Sequence, residues 1–330
     1  MADRRWADRR GHAHVSIERI RLRLHAIAFE TATVRRIDLR DPDGRALPAF
    51  RPGAHVDLKL NGGVARSYSL VGDPADASRY LLGVQRDPQS RGGSQHLCEA
   101  ARVGDLIEVS RPINNFALVE GAAASLFIAG GIGITPILPM LDRLAALGRR
   151  FVLHYGVRDQ KAIPFQPRLA RHGDRVQTAF SREPGGGRLS VAAIVDAAPA
   201  DAELYCCGPR SMLEAFAKAT AGRDPTHIHV EHFSGAEPAA EEGGFEVVLA
   251  RSGRTVAVLP GKTILEALNA AGIEPDCSCV QGVCGTCETR VLDGVPDHRD
   301  VILTPEERAG NHTMMICVSG ARTARLVLDI

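Results

Sequence analysis

The sequence predicts three successive folding units: an antiparallel β-barrel, an α/β unit on a parallel sheet, and a smaller α+β unit. Three observations carry this reading. Short apolar alternations broken by Gly, Pro and Asp fill residues 17–123; apolar strands alternate with helix-like runs over 124–234; and a cysteine-rich stretch lies beyond a gap of small and acidic residues. At 330 residues the chain exceeds one ordinary core, which agrees with several domains.

Ahead of the barrel, "MADRRWADRRGHAHV" repeats Ala-Asp-Arg-Arg and has no apolar period, so residues 1–16 are expected to form a disordered tail. Strands such as "HVDLKL" and "DLIEVS", separated by "DPDG", "NGG" and "RPG", write the barrel. In the second unit "SLFIAGG", "RFVLHYGV", "RVQTAFS", "AELYCCGP" and "HIHVEHF" alternate with "ILPMLDRLAALG" and "RSMLEAFAKATA". Such alternation implies crossover helices, with ligands bound at the carboxyl edge of the sheet. Residues 235–244, "GAEPAAEEGG", have nothing to bury and are expected to be a linker. The third unit, 245–330, contains two strands, one amphipathic helix ("TILEALNAAG"), a cysteine loop and two late strands.

Average hydrophobic (45%) and charged (24%) content and a formal net charge of +1 give no electrostatic case for nucleic acid. Gly121 to Leu141 carries no charge and is long enough to span a bilayer, but four glycines and two prolines interrupt it, so a buried strand leading into a helix is expected instead. Eight cysteines are too few and too clustered for a secreted scaffold, and a reducing cytoplasm is the expected location.

Cys279, Cys284 and Cys287 in "CVQGVCGTC" are spaced C-x4-C-x2-C, with Cys317 remote. That is the plant-type arrangement for a two-iron, two-sulfur cluster, in which each iron takes two thiolates and small loop residues let backbone amides reach the sulfurs. A structural zinc site usually takes two close C-x2-C pairs, and only one is present. Cys277 would give a different spacing and is set aside, and Cys98 and Cys206 are expected to be small buried residues.

With "DGVPDHRDVILTPEE" and "CVSGA" following the loop, the third unit resembles a plant-type ferredoxin of β-grasp fold. The longer run resembles the carboxyl-terminal domain of the phthalate dioxygenase reductase family, the vanillate demethylase reductases included, and the likeness extends over residues 17–330 in the same order. The resemblance implies FMN in the barrel, NADH (with NADPH left open) in the α/β unit and a 2Fe-2S cluster in the third. In "RSYSL" it places Tyr68 against the isoalloxazine, Ser69 at its N5 edge and Arg66 on the phosphate. In "RGGSQHL" it gives Gly92, Gly93 and Ser94 to the FMN phosphate, where close backbone approach at a helix start suits an anion.

By the same resemblance "AGGIGITP" is the pyridine-nucleotide loop, with Gly130, Gly131, Gly133, Thr135 and Pro136; "CCGPRSM" supplies a second loop with Cys207, Gly208, Pro209 and Met212. The resemblance also implies that Ser69, Cys207 and Phe233 stand at the reacting centre. In "FSRE", Ser181 and Arg182 occupy the place where NADH-using relatives often carry an acid for the ribose hydroxyls, and a Ser-Arg pair suits a 2'-phosphate. His227, His229 and His232 are read as satisfied or exposed histidines rather than metal ligands. Because a hydride carries two electrons and a cluster accepts one, a flavin between them makes chemical sense. The expected function is that of a reductase component, monomeric, serving a terminal Rieske oxygenase through transient contact. A haem-thiolate monooxygenase or separate ferredoxin is an alternative acceptor, and a redox-sensing or zinc-stabilised binding module is the reading from another class.

Overall fold

The computed structural model describes residues 18–60, 65–88, 92–233, 244–277 and 279–330. The expected tail and linker, Gly244 excepted, lie outside the described residues. The chain divides into two compact units, one holding residues 21–235 and the other 236–330 together with the described residues 18–20.

In the first unit, β1 (Arg19–Phe29), β2 (Val34–Arg40), β3 (His55–Lys59), β4 (Ala65–Ser69), β5 (Tyr80–Gln85) and β6 (Leu106–Ser110) form a six-stranded sheet of order β4-β3-β6-β1-β2-β5. The paired strands run antiparallel, as the alternation predicts. A bridge between Leu70 and Leu82 joins the two ends of that order and closes the sheet on itself. Closure removes the exposed edges and gives the barrel an interior for Leu22, Leu24, Ile37, Leu39, Val56 and Leu58, all fully buried.

Next come β7 (Ser125–Gly130), β8 (Phe151–Val157), β9 (Val176–Phe180), β10 (Glu203–Cys207) and β11 (Ile228–Glu231), wholly parallel in the order β11-β10-β7-β8-β9. The crossovers include α1 (Ile134–Ala146), α2 (Gln166–Ala170), α3 (Val191–Asp196) and α4 (Arg210–Ala219). The uncharged run from Gly121 thus splits into β7, a glycine turn and α1, and no helix among the described residues is long and apolar enough to cross a membrane. Barrel and parallel sheet share one core: Val71 and Phe116 pack in the same cluster as Phe127, Ile137, Leu141 and Tyr155. That common burial is why they form a single compact unit.

The second unit is a mixed sheet, β13-β12-β18-β14-β16, from β12 (Phe245–Leu249), β13 (Thr255–Val258), β14 (Glu288–Asp293), β16 (Thr313–Met315) and β18 (Arg325–Leu328), with a separate two-stranded pair of β15 (Pro296–Asp297) and β17 (Gly320–Ala321). Its helix α5 (Ile264–Ala270) starts at a capping box in which Thr263 accepts from the Glu266 amide and Glu266 accepts from the Thr263 amide. That helix buries Ile264, Leu265 and Leu268 in the core of the unit. A second capping box, Thr304 with Glu307, opens α6 (Pro305–Gly310).

Candidate functional site

The barrel brings "RSYSL" and "GGS" together although more than twenty positions separate them in sequence. Arg66, Tyr68 and Ser69 are on β4; Gly92 has φ 98° and turns the chain into a short helical segment beginning at Gly93. A Cβ at Gly93 would lie 2.6 Å from Arg66 Cγ and 3.3 Å from Tyr68 Oη, so only glycine lets that backbone lie against the strand. Ser94 Oγ accepts from the Asp87 amide at 3.2 Å and ties the turn to the end of β5. Ser69 is buried, whereas Arg66 and Tyr68 are half-buried on the other face of the strand. Burial pushes the Tyr68 phenol up, which keeps it neutral. A backbone cradle beside a guanidinium and a neutral aromatic fits a flavin with its phosphate.

The two loops of the α/β unit meet in the same way. β7 and β10 are neighbours with Ala129 opposite Cys207, so both loops leave the carboxyl edge side by side. At Gly133 a Cβ would stand 2.1 Å from the Cys207 carbonyl oxygen, and at Gly130 one would stand 2.5 Å from Pro209 Cδ and 3.0 Å from Met212 Sδ. Tyr155 Oη donates to the Gly131 carbonyl at 2.8 Å, and Thr135 Oγ1 donates to that of Ile132 at 2.9 Å, fixing the turn into α1. Pro136 and Thr135 are buried in its first turn. Gly208 packs against Met212. Cys207 is fully buried and burial pushes its thiol well above the usual range, so what it offers this edge is its backbone. Phe233 packs half-buried on the shared core.

Ser181 and Arg182 are exposed just past β9, their amides bonded to the carbonyls of Val157 at 3.0 Å and Arg158 at 2.9 Å. Beside them is an open cleft of about 560 Å³ lined by Asp159, Gln160, Lys161, Gln166 and Glu183. Glu183 Oε1 accepts from the Gln160 amide at 2.9 Å, and Asp159 Oδ1 accepts from that of Ala162 at 3.1 Å. Lys161 and Glu183 were not singled out by sequence; Glu183 could have been, since it directly follows Ser181-Arg182.

In the second unit Cys279, Cys287 and Cys317 are buried and Cys284 half-buried. Thiol contacts run from Cys284 to Cys279, from Cys279 to Cys317, and from Cys317 to Cys287. The Cys279 contact and burial push Cys284 up; in Cys317 the Cys279 contact pulls down but the Cys287 contact and burial prevail and push it up, and in Cys279 the Cys284 contact pulls down but the Cys317 contact and burial push it to about 11. The Gln281 amide donates to Cys279 Sγ at 3.3 Å, and Thr286 Oγ1 lies 3.3 Å from Cys284 Sγ. Gly282 has φ 69°, and a Cβ there would lie 2.6 Å from Val318 Cγ2. Val280 holds φ 53°, an unfavourable conformation for a β-branched residue, and it directly follows a ligand candidate. Among the described residues no set of three or more His, Cys, Asp or Glu closes on a single ion. A two-iron cluster needs the thiolates two and two, and the run of contacts Cys284–Cys279–Cys317–Cys287 fits it.

Cys206 is buried as expected, but Cys98 is only half-buried. His227 Nδ1 and His229 Nε2 bond the two oxygens of buried Glu203 at 2.8 and 2.6 Å, and His229 stacks on Tyr205 with centroids 4.3 Å apart. A carboxylate distant in sequence, which histidine spacing could not reveal, therefore satisfies that pair. Cys277 packs at the margin of the core.

Comparison with known proteins gives the class. The family described as 2Fe-2S iron-sulfur cluster binding domain matches residues 247–322, and the one described as oxidoreductase NAD-binding domain matches 127–218. The chain is an oxidoreductase with a nicotinamide-nucleotide domain and an iron–sulfur domain. It is 54% identical over 311 residues to phenoxybenzoate dioxygenase subunit beta of Ectopseudomonas oleovorans, covering 94% of this chain and 97% of that one. The crystal structure of phthalate dioxygenase reductase, described as a modular structure for electron transfer from pyridine nucleotides to [2Fe-2S], superposes with TM-score 0.76 at 32% identity, over 94% of this chain and 98% of that one. An intact type IV self-sufficient cytochrome P-450 monooxygenase gives TM-score 0.80 at 37% identity, and this chain, covered in full, spans 44% of its length. The chain belongs to the phthalate dioxygenase reductase family.

Proposed function

We propose that this protein is the reductase component of a two-component oxygenase system, taking electrons from NADH or NADPH and delivering them singly to a terminal Rieske oxygenase. The observation that carries the reading is the coexistence, in one chain, of the Gly93 cradle on Arg66 and Tyr68, the paired loops at Gly133 and Cys207, and four neighbouring cysteines in a ferredoxin-like sheet. When bound, a flavin accepts a hydride from the nicotinamide and releases two electrons one at a time, and a 2Fe-2S cluster carries each to the acceptor.

The residues divide this work by domain: 17–123 for FMN, 124–234 for the nucleotide, 245–330 for the cluster. Arg66 neutralises the FMN phosphate beside the Gly92–Gly93–Ser94 backbone, and Tyr68 covers the ring. Ser69 contributes at the flavin edge through its backbone, its side chain being turned to the buried face. Gly130, Gly131 and Gly133 admit the nucleotide to the start of α1, with Pro209 and Met212 as the facing wall, and Cys207 and Phe233 border the nicotinamide. Ser181 and Arg182 take the adenosine end. Cys279, Cys284, Cys287 and Cys317 hold the cluster, with the Gln281 amide stabilising sulfur charge. The protein works as a cytoplasmic monomer and touches its oxygenase transiently. The likeness to the self-sufficient monooxygenase supports a second acceptor class, a haem-thiolate oxygenase.

The test is an anaerobic titration with NADH and, separately, NADPH, followed through the visible flavin and cluster bands. Uptake of about three electrons per chain is expected, two on the flavin and one on the cluster. Protein shown to contain flavin and iron that neither nucleotide bleaches would refute the reading.

A further inference from the structure

We propose that the segment Phe165–Arg168 is a positioning latch that fixes the gap between the flavin strand and the nucleotide loop, and thereby the rate of hydride transfer. The inference rests on the flavin and nucleotide sites proposed above. Neither residue belongs to a cofactor motif, and both bond across from the α/β layer to the barrel.

Phe165 holds φ 55°, a conformation that bulky L residues seldom adopt and that persists only when surrounding contacts enforce it. Those contacts are visible. Its amide donates to Glu30 Oε2 at 3.0 Å, at the end of β1, and the other oxygen of Glu30 pairs with Arg36 Nη1 at 3.2 Å. Its ring lies on Gly83 of β5, where an added Cβ would stand 3.0 Å from Phe165 Cζ and 2.7 Å from Thr135 Cγ2. Gly83 is thus the point where barrel, latch and nucleotide loop touch.

Three residues on, Arg168 bridges the same layers by charge. It donates through Nη1 to the Val71 carbonyl, two residues beyond Ser69, and through Nε (3.1 Å) and Nη2 to Asp142 Oδ2 on α1. The other oxygen of Asp142 meets His172 Nε2 at 2.9 Å. Asp142 stands about two helical turns from Thr135. The nucleotide loop is therefore joined through α1, Asp142 and Arg168 to the exit of the flavin strand, while Phe165 joins the same loop to β5 and β1. Ordinary packing between layers needs neither a strained residue nor an oriented guanidinium. Hydride transfer needs reacting atoms held at about 3–3.5 Å, where small displacements are costly.

The test uses the full chain with its cofactors and the variants Arg168→Ala, Gly83→Ala and Glu30→Ala. Stopped-flow reduction by NADH should show the limiting rate of flavin reduction falling about 10- to 100-fold in Arg168→Ala and Gly83→Ala. The half-saturating NADH concentration, the flavin content and reoxidation by ferricyanide should stay unchanged. The long-wavelength charge-transfer absorbance formed on mixing reduced flavin with NAD⁺ should weaken. In Glu30→Ala, deuterium exchange at the Phe165 amide should rise and the limiting rate should fall. Wild-type limiting rates in flavin-containing Arg168→Ala and Gly83→Ala would overturn the proposal, as would losses confined to NADH affinity with an unaltered charge-transfer band. If either of those two variants loses flavin, Glu30→Ala decides: faster exchange at Phe165 with a wild-type rate also overturns it. A wild-type protein that neither NADH nor NADPH reduces would instead sink the underlying cofactor assignment.

Discussion

Asp57 lies fully buried in the barrel, directly behind the flavin motif. A buried carboxylate is costly unless hydrogen-bonded, and here Ser67 Oγ donates to Asp57 Oδ1 at 2.6 Å while the Asp57 amide donates to Ser110 Oγ at 2.9 Å. Ser67 sits between Arg66 and Tyr68, so Asp57 anchors β4 from the face opposite those two side chains. Ser67→Ala removes one charge-assisted bond and should cost about 1.5–3 kcal/mol of stability, read as a lower denaturant midpoint; an unchanged midpoint would contradict that anchoring. The sequence hid this role. In "HVDLKL" the alternation suggests a polar face on water, yet His55, Val56, Asp57 and Leu58 are all buried, because the closed sheet and its covering segments leave little of this strand outside.

At the scale of elements, the edge beyond β9 is where we propose that the accepted nucleotide is selected. Glu183 on that edge is engaged by the Gln160 amide, while Arg182 and Lys161 stand exposed beside the cleft. Arg182→Ala should therefore lower kcat/KM for NADPH by about 10- to 100-fold, the equivalent of one charged hydrogen bond, and leave that for NADH nearly unchanged. Steady-state reduction of ferricyanide with each nucleotide checks it, and equal losses for both would contradict a 2'-phosphate role. The cluster loop was legible at this scale because three of its thiols are close in sequence and a two-iron site dictates their spacing. Lys161 was not, because only the parallel pairing of β8 with β9 carries its segment alongside Arg182.

For the whole molecule, four desolvated histidines are expected to limit stability in acid. Desolvation holds His55, His154, His172 and His232 below the ordinary imidazole value. Unfolded, they take protons near 6.5, so below that pH the unfolded chain binds more protons than the folded one and stability falls as pH drops. Urea midpoints should decline from pH 7.5 to 5.5, and a flat profile would show that these groups do not govern acid stability. The order of units was readable from strand period and loop composition; the shared core was not, since Val71 and Phe116 gain their α/β neighbours only through tertiary folding. The last sheet has a further consequence, for biogenesis. Its central strand, β18, pairs with β12 on one side and β14 on the other and is synthesised after every cysteine of the loop. While the ribosome is still short of residue 325, four thiols have been made and the sheet that should hold them has no middle. The four thiols therefore reach their native neighbourhood only once β18 has paired with β12 and β14, and cluster loading is expected to follow that pairing.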